Sequence, residues 1–210
     1  MYASGVKKES GQLNKTNRLI TFGCSYTFGI GLPDCKYGDK NPSKLGWPTL
    51  LSDRMGAELV NISASGASNF EILYNILNFD FQDTDTVVIM WTHFYREYYF
   101  TKWFPLLSNR QFGPWTTGRI ARKWVEQMND KDFAMKSWAH IHHAGLYLKS
   151  KAVKHIHFPA WPNDLLKYPV NYEISNLYLD GFVKVDLGHD NGHPGVESNK
   201  QTAERIYYCL

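Results

Sequence analysis

The chain has 210 residues, 43% of them apolar and 20% charged, which suits one globular domain and excludes wholesale disorder and collagen-like repeats. Its net charge of +3, from 23 Lys+Arg against 20 Asp+Glu, is too small and too evenly spread for a phosphate-tracking surface, so nucleic acid is not an expected partner. Aromatic residues reach 15%, and five of the seven Trp fall between Trp91 and Trp138.

Residues 1–17 are polar and read as a flexible tail without the apolar core of a signal peptide. No run approaches the ~18 apolar residues of a membrane span. Three cysteines, Cys24, Cys35 and Cys209, match no zinc or redox spacing and read as free thiols. A cytoplasmic or virion-associated protein that does not bind membranes is expected, and the oligomeric state is left open.

The domain starts at Arg18. Leu19 to Cys24 form a short apolar run that passes Gly23, which suits a buried strand with a sharp turn at its end. Pro48 opens a helix with Leu50, Leu51 and Met55 on one face and Gly56 at the capping position. Residues 59–62 read as a second strand. Ser68 and Glu71 form a capping box ahead of a helix whose inner face carries Phe70, Leu73, Ile76 and Leu77. Thr86 to Trp91 is a continuous apolar run, as in a central parallel strand covered on both faces.

A long helical region is predicted over about 120–150, with Ala134, Trp138, Ile141, Gly145 and Leu148 as a core seam. His155 to Phe158 reads as the next strand. A closing helix over about 194–208 turns Val196, Ala203, Ile206 and Tyr207 inward. Alternating strands and helices imply an open parallel sheet between helix layers, with chemistry at the turns after Cys24, Ile62, Trp91 and Phe158.

At the first of these turns a serine, Ser25, leaves a buried strand through a glycine-flanked loop, which exposes its hydroxyl beside backbone N–H groups. A helix N-cap would explain the same serine. Near the other end, Asp190 stands three residues before His193 and Pro194. This spacing lets a carboxylate hold the imidazole Nδ1–H while Nε2 faces a hydroxyl.

Taken together, the two ends resemble the SGNH hydrolases, the GDSL-like lipase and esterase superfamily, in the variant met in phages and bacteria. Residues 22–29, Phe-Gly-Cys-Ser-Tyr-Thr-Phe-Gly, are similar to the first block of that family, and Asp190-Asn-Gly-His193-Pro194 to the last. Residues 61–69 are similar to the second, with Gly66 as the glycine that lends a backbone N–H to the oxyanion hole. The resemblance implies a flavodoxin-like three-layer α/β/α sandwich over residues 18–210. It also implies a serine esterase with Ser25 as nucleophile, His193 as base and Asp190 as its orienting acid, and no metal or cofactor.

Two departures stand out. Cys24 replaces the family's Asp before the serine. Thr92-His93-Phe94 replaces the Gly-x-Asn-Asp block, so the Asn that donates to the oxyanion falls on His93, with Thr92 as a substitute and aromatic packing as the alternative role. Losing one such donor costs on the order of 3 kcal/mol in the transition state.

Trp91, Phe94, Tyr95 and Tyr98 would share one side of a helical segment, either as a core stripe or as a substrate wall joined by Thr92 and Arg96. An aromatic-rich insertion is expected around residues 95–119. The expected substrate is a glycan or other small ester, with acetyl as the expected acyl group. Rival readings are a glycan-binding module that has lost hydrolysis, and a metal-dependent hydrolase using His140, His142 and His143 or His155 and His157.

Overall fold

A computed structural model describes residues 17–99, 110–112, 119–127, 129–171, 173–180 and 182–210. The predicted tail therefore lies outside the described residues except for Asn17, and so does most of the insertion expected around 95–119.

Along the chain, β1 (Arg18–Gly23) leads into a one-turn helix α1 (Ser25–Phe28), then α2 (Trp47–Met55), β2 (Glu58–Ser63), α3 (Asn69–Leu77) and β3 (Thr86–Trp91). A short pair follows, β4 (Glu97–Tyr99) and β5 (Arg110–Phe112), then α4 (Arg119–Gln127), α5 (Asp130–Ser150), β6 (Lys154–Pro159), α6 (Pro162–Leu166) and α7 (Val196–Cys209). The main sheet has the order β2-β1-β3-β6 and is wholly parallel. Residue 177 adds a single parallel bridge to His157, so a fifth strand position is reduced to one rung.

Right-handed crossovers put α2 and α3 on opposite faces, because the chain steps one way from β1 to β2 and the other way from β2 to β3. The packing agrees, since α2 lies against α7 and α3 against α5. The result is the three-layer α/β/α sandwich. Val87 to Trp91 are fully buried, as a central strand covered on both faces requires. Gly56 caps α2 in the left-handed region, and the Ser68 hydroxyl accepts the Glu71 N–H at 3.1 Å at the start of α3.

The registers align the strand ends: Gly23 lies opposite Ser63, Phe22 opposite Ile89, and Trp91 opposite Pro159. Everything that leaves these strands shares one edge, where open parallel sheets bind ligands. At the opposite end the Arg18 guanidinium grips the buried Asp85 carboxylate through two bonds of 2.8 and 2.7 Å. Asp85→Ala leaves that cation without its partner and is expected to cost about 2–4 kcal/mol, read as a lower urea midpoint at an unchanged slope.

Two expectations are corrected. The helical region predicted over 120–150 is two helices, because Asn129 caps a new start, accepting the Lys131 N–H at 2.7 Å with Asp130 and Asp132 in the first turn. Tyr207 does not face inward: it is 38% exposed, with the Arg54 guanidinium 4.4 Å from its ring centre. The inner face of α7 is instead largely polar. Asn199 accepts the Trp47 N–H, Thr202 the Val183 N–H, and Ser198 the Val185 and Asp186 N–H groups. This helix therefore anchors loops as well as apolar core. Among the described residues no helix is long and apolar enough to cross a membrane.

Candidate active site

The turn after β1 is tight because Gly23 has no side chain; a Cβ there would collide with Thr27. Cys24 is the N-cap of α1 and makes no side-chain cap bond, so Ser25 is the first helical residue and its hydroxyl is not a cap. The hydroxyl is not exposed as the turn predicts: the serine is only 2% exposed, and its Oγ makes no hydrogen bond among the described residues. Gly29 closes the turn in the left-handed region.

The Asp190–His193 pair is built by a loop that folds back on itself. Asp190 Oδ2 lies 2.6 Å from His193 Nδ1, while Oδ1 accepts the Gly192 and His193 N–H groups at 3.0 Å each. Burial pushes the Asp190 carboxyl up, but these donors outweigh it and hold the group at about 2. It is therefore ionised throughout the neutral range and fixes the imidazole from the Nδ1 side.

Two glycines lock this loop to the serine turn. The His189 N–H donates to the Gly31 carbonyl at 2.9 Å. A Cβ on Gly31, which has φ +89°, would lie 2.8 Å from Asp190 Oδ1 and 2.9 Å from His193 Cβ, and one on Gly188 would strike the Gly31 backbone. The Tyr26 ring, one residue beyond the serine, lies 5.6 Å from the His193 ring. The structure thus brings the two loops together, although no hydrogen bond joins Ser25 Oγ to His193. Gly31→Ala forces a left-handed alanine against the pair. It is expected to cost about 1–3 kcal/mol of stability and about 10²-fold in kcat, read by thermal unfolding and ester hydrolysis.

The loop after β2 joins the same edge. The Ala64 N–H donates to the Gly23 carbonyl at 3.3 Å, and Asn61 Nδ2 to the Thr27 carbonyl at 3.3 Å. Gly66 follows with φ +81°. The N–H groups of Ser25 and Gly66 enter no backbone hydrogen bond among the described residues.

His93 is differently placed from the oxyanion donor expected of it. Its Nδ1 accepts the Tyr95 N–H at 3.2 Å, and its Nε2 lies 2.9 Å from Asp164 Oδ2. A neutral ring with an accepting Nδ1 carries its proton on Nε2, and Asp164 takes that proton's hydrogen bond. No N–H remains for an oxyanion in this arrangement. Burial, with help from the Arg96 charge, lowers the His93 pKa and outweighs the pull of Asp164 in the opposite direction. Thr92 is buried, its N–H donating to Asn69 Oδ1 at 2.8 Å.

The expected aromatic side is also revised. β3 ends at Trp91 and the chain turns into β4, so Trp91, Phe94, Tyr95 and Tyr98 do not share a helix. Trp91 is fully buried, its Nε1–H donating to His157 Nδ1 at 3.2 Å, and Phe94 is core as well. These two rings belong to the core and form no exposed substrate wall. Tyr95 is half-buried, stacked on His93 at 4.8 Å, and Arg96 is half-buried at the rim. The histidines weighed as metal ligands have other surroundings. His140 packs on Phe70, and His157, held at about 3 by burial, is neutral. Among the described residues no group of three or more His, Cys, Asp or Glu could hold a metal ion.

Three residues were not anticipated. Trp161 lies 4.7 Å from the Tyr26 ring and 5.8 Å from His93, Phe182 lies 5.4 Å from Tyr26, and Asp164 holds His93. The turn after β6 was the right place to look. Its signal is the Trp161-Pro162 pair opening α6, with Asp164 in the first turn.

No protein-family model matches the chain, and no curated protein matches its sequence. Solved structures do match. An acetyl xylan esterase from the rumen bacterium Butyrivibrio proteoclasticus is similar over 91% of this chain and 63% of its own, at 12% identity and TM-score 0.57. A carbohydrate esterase described as having divergent catalytic and non-catalytic binding functions in its active site is similar over 93% and 65%, at 12% identity and TM-score 0.54. TesA is similar over 92% and 97%, at 14% identity and TM-score 0.51. The chain spans less than two thirds of the first two of these structures. At such identities the likeness is one of fold, the SGNH-type sandwich.

Proposed function

We propose that this protein is a serine ester hydrolase that removes an acyl group, acetyl in the favoured case, from a carbohydrate or another small ester. The observation that carries this reading is the docking of the serine turn on the Asp190–His193 loop through Gly31 and Gly188. Such close backbone approach holds a hydroxyl and an oriented imidazole at one sheet edge. Esterases among the structures of like fold lend further support.

In this mechanism Ser25 Oγ attacks the ester carbonyl as its proton passes to His193 Nε2. A bond forms between Oγ and the acyl carbon, and the carbonyl becomes an oxyanion held by the N–H groups of Ser25 and Gly66. The bond to the alcohol oxygen then breaks, and His193 returns the proton to that leaving group. Water, deprotonated by the same imidazole, then adds to the acyl carbon; the bond to Ser25 Oγ breaks, the imidazole gives its proton to Oγ, and the acid is released. Asp190 stays ionised and stabilises the imidazolium in both halves. Substrate contacts are assigned to Tyr95, Arg96 and Trp161 at the rim, while His93 serves the oxyanion only if it releases Asp164.

A second reading, a glycan-binding module of the same fold, is favoured by one feature: both His93 nitrogens are engaged, so His93 has no N–H left for an oxyanion. Hydrolysis of a short-chain nitrophenyl ester, with acetate release from acetylated glycans, separates the two. Turnover supports the hydrolase, whereas glycan binding without turnover supports the module.

A further inference from the structure

Tyr26 touches both halves of the candidate site. It follows Ser25 in the one-turn helix α1, which is closed by the Phe28 N–H donating to the Cys24 carbonyl and the Gly29 N–H to the Ser25 carbonyl, each at 2.9 Å. A ring on residue 26 therefore has a fixed place relative to the hydroxyl of residue 25. That ring meets the His193 imidazole at 5.6 Å between centres with the planes at 70°, an edge-to-face contact. Trp161 at 4.7 Å and Phe182 at 5.4 Å brace it, and Tyr26 is only 7% exposed.

Asp190 alone does not set the imidazole plane. Its carboxylate engages Nδ1 at 2.6 Å, which fixes one atom of the ring. Rotation of a histidine ring about its Cβ–Cγ bond has broad minima, so a single bond leaves the direction of Nε2 loosely defined. The close approaches at Gly31 and Gly188 hold the loop as far as the His193 Cβ. The His193 side chain is 25% exposed, so enclosing walls do not fix it on every side. Burial pushes the Tyr26 phenol up to about 12, so it stays neutral near pH 7 and acts on the imidazole through its ring rather than a charge.

We infer that Tyr26 is a positioning residue, whose ring sets the plane of the His193 imidazole so that Nε2 is directed at Ser25 Oγ during acyl transfer. This inference rests on the ester-hydrolase reading and adds to it a residue outside the triad. The test compares hydrolysis of a short-chain nitrophenyl ester by the wild type, Tyr26→Leu and Tyr26→Phe. Tyr26→Leu loses the ring and is expected to lower kcat and kcat/KM equally, by about 10–10²-fold, with KM little changed and the protein still folded at the assay temperature. Tyr26→Phe keeps the ring and is expected to restore most of kcat.

A second arm needs no turnover. The imidazole protons of His193 are identified in NMR spectra by their absence from His193→Gln. In the wild type they should show nuclear Overhauser contacts to the Tyr26 ring, and in Tyr26→Leu they should shift and broaden. Unchanged kcat in Tyr26→Leu, with or without a rise in KM, overturns the proposal, as does a loss in Tyr26→Phe as large as that in Tyr26→Leu. Absence of the contacts from the wild type also overturns it, and that result stands even where Tyr26→Leu does not fold. If the wild type cleaves no ester, the hydrolase reading fails and the NMR contacts alone decide whether Tyr26 holds the imidazole.

Discussion

Ser25→Ala is expected to lower kcat for a short-chain ester by about 10⁴-fold or more while the fold persists. The size follows from the role: with no Oγ there is no acyl-serine, and only binding and the backbone donors of Gly66 and residue 25 remain to speed attack by water. The fold survives because Ser25 Oγ makes no hydrogen bond among the described residues, so its removal leaves no partner unsatisfied. An unchanged melting temperature with lost turnover separates this result from simple unfolding. Equal rates for both proteins would remove Ser25 from the mechanism.

Asp190→Asn is expected to cost about 10²–10⁴-fold in kcat, with a smaller effect on stability. Asparagine keeps one oxygen, and the Gly192 and His193 N–H groups claim it because both bond to a single oxygen of the native carboxylate. The amide nitrogen then faces His193 Nδ1 and forces that atom to accept. The ring proton moves to Nε2, where a base must have a lone pair, so the imidazole holds the wrong tautomer. The pH behaviour follows as well. Folding holds Asp190 at about 2, below the ordinary value of about 3.9, so its stabilisation is complete above that value and is lost as pH falls through about 2. The acid limb of the wild-type rate profile should therefore show no break from Asp190 in the neutral range.

Local signals carried much of the architecture. The apolar run ending at Trp91, the Ser68–Glu71 box and Gly56 each act within a few residues, and each element forms where that short-range chemistry puts it. The parallel sheet follows from their alternation. The break at Asn129 is also local, yet apolar spacing runs through it, and the cap with two acidic residues decides against one long helix.

What spacing did not reveal depends on distant partners. His93 has the residue type of an oxyanion donor, but Asp164, from the far side of β6, takes its N–H. Trp91 heads an aromatic cluster in sequence, but its strand is central and His157 on the adjacent strand accepts its indole N–H, so it lies in the core. Tyr207 has helical spacing suited to the interior, but the inner face of α7 is occupied by Ser198, Asn199 and Thr202, which bind loop backbone. At the candidate site, the glycine-flanked turn pointed to Ser25 and the three-residue spacing to Asp190 and His193, whereas Gly66 rested on the family resemblance alone. Trp161 was not legible, because one tryptophan before a proline is common and only its contacts with Tyr26 and Arg96 distinguish it.

The most direct test of the central claim is covalent labelling of the intact protein with a fluorophosphonate, read by mass spectrometry of the peptide that carries residue 25. An activated serine attacks phosphorus and displaces fluoride, so one phosphonyl adduct per chain is expected on Ser25. The adduct should be absent from Ser25→Ala and should form far more slowly in Asp190→Asn. An unlabelled wild type, or labelling at another residue that persists in Ser25→Ala, would contradict a Ser25–His193–Asp190 hydrolase.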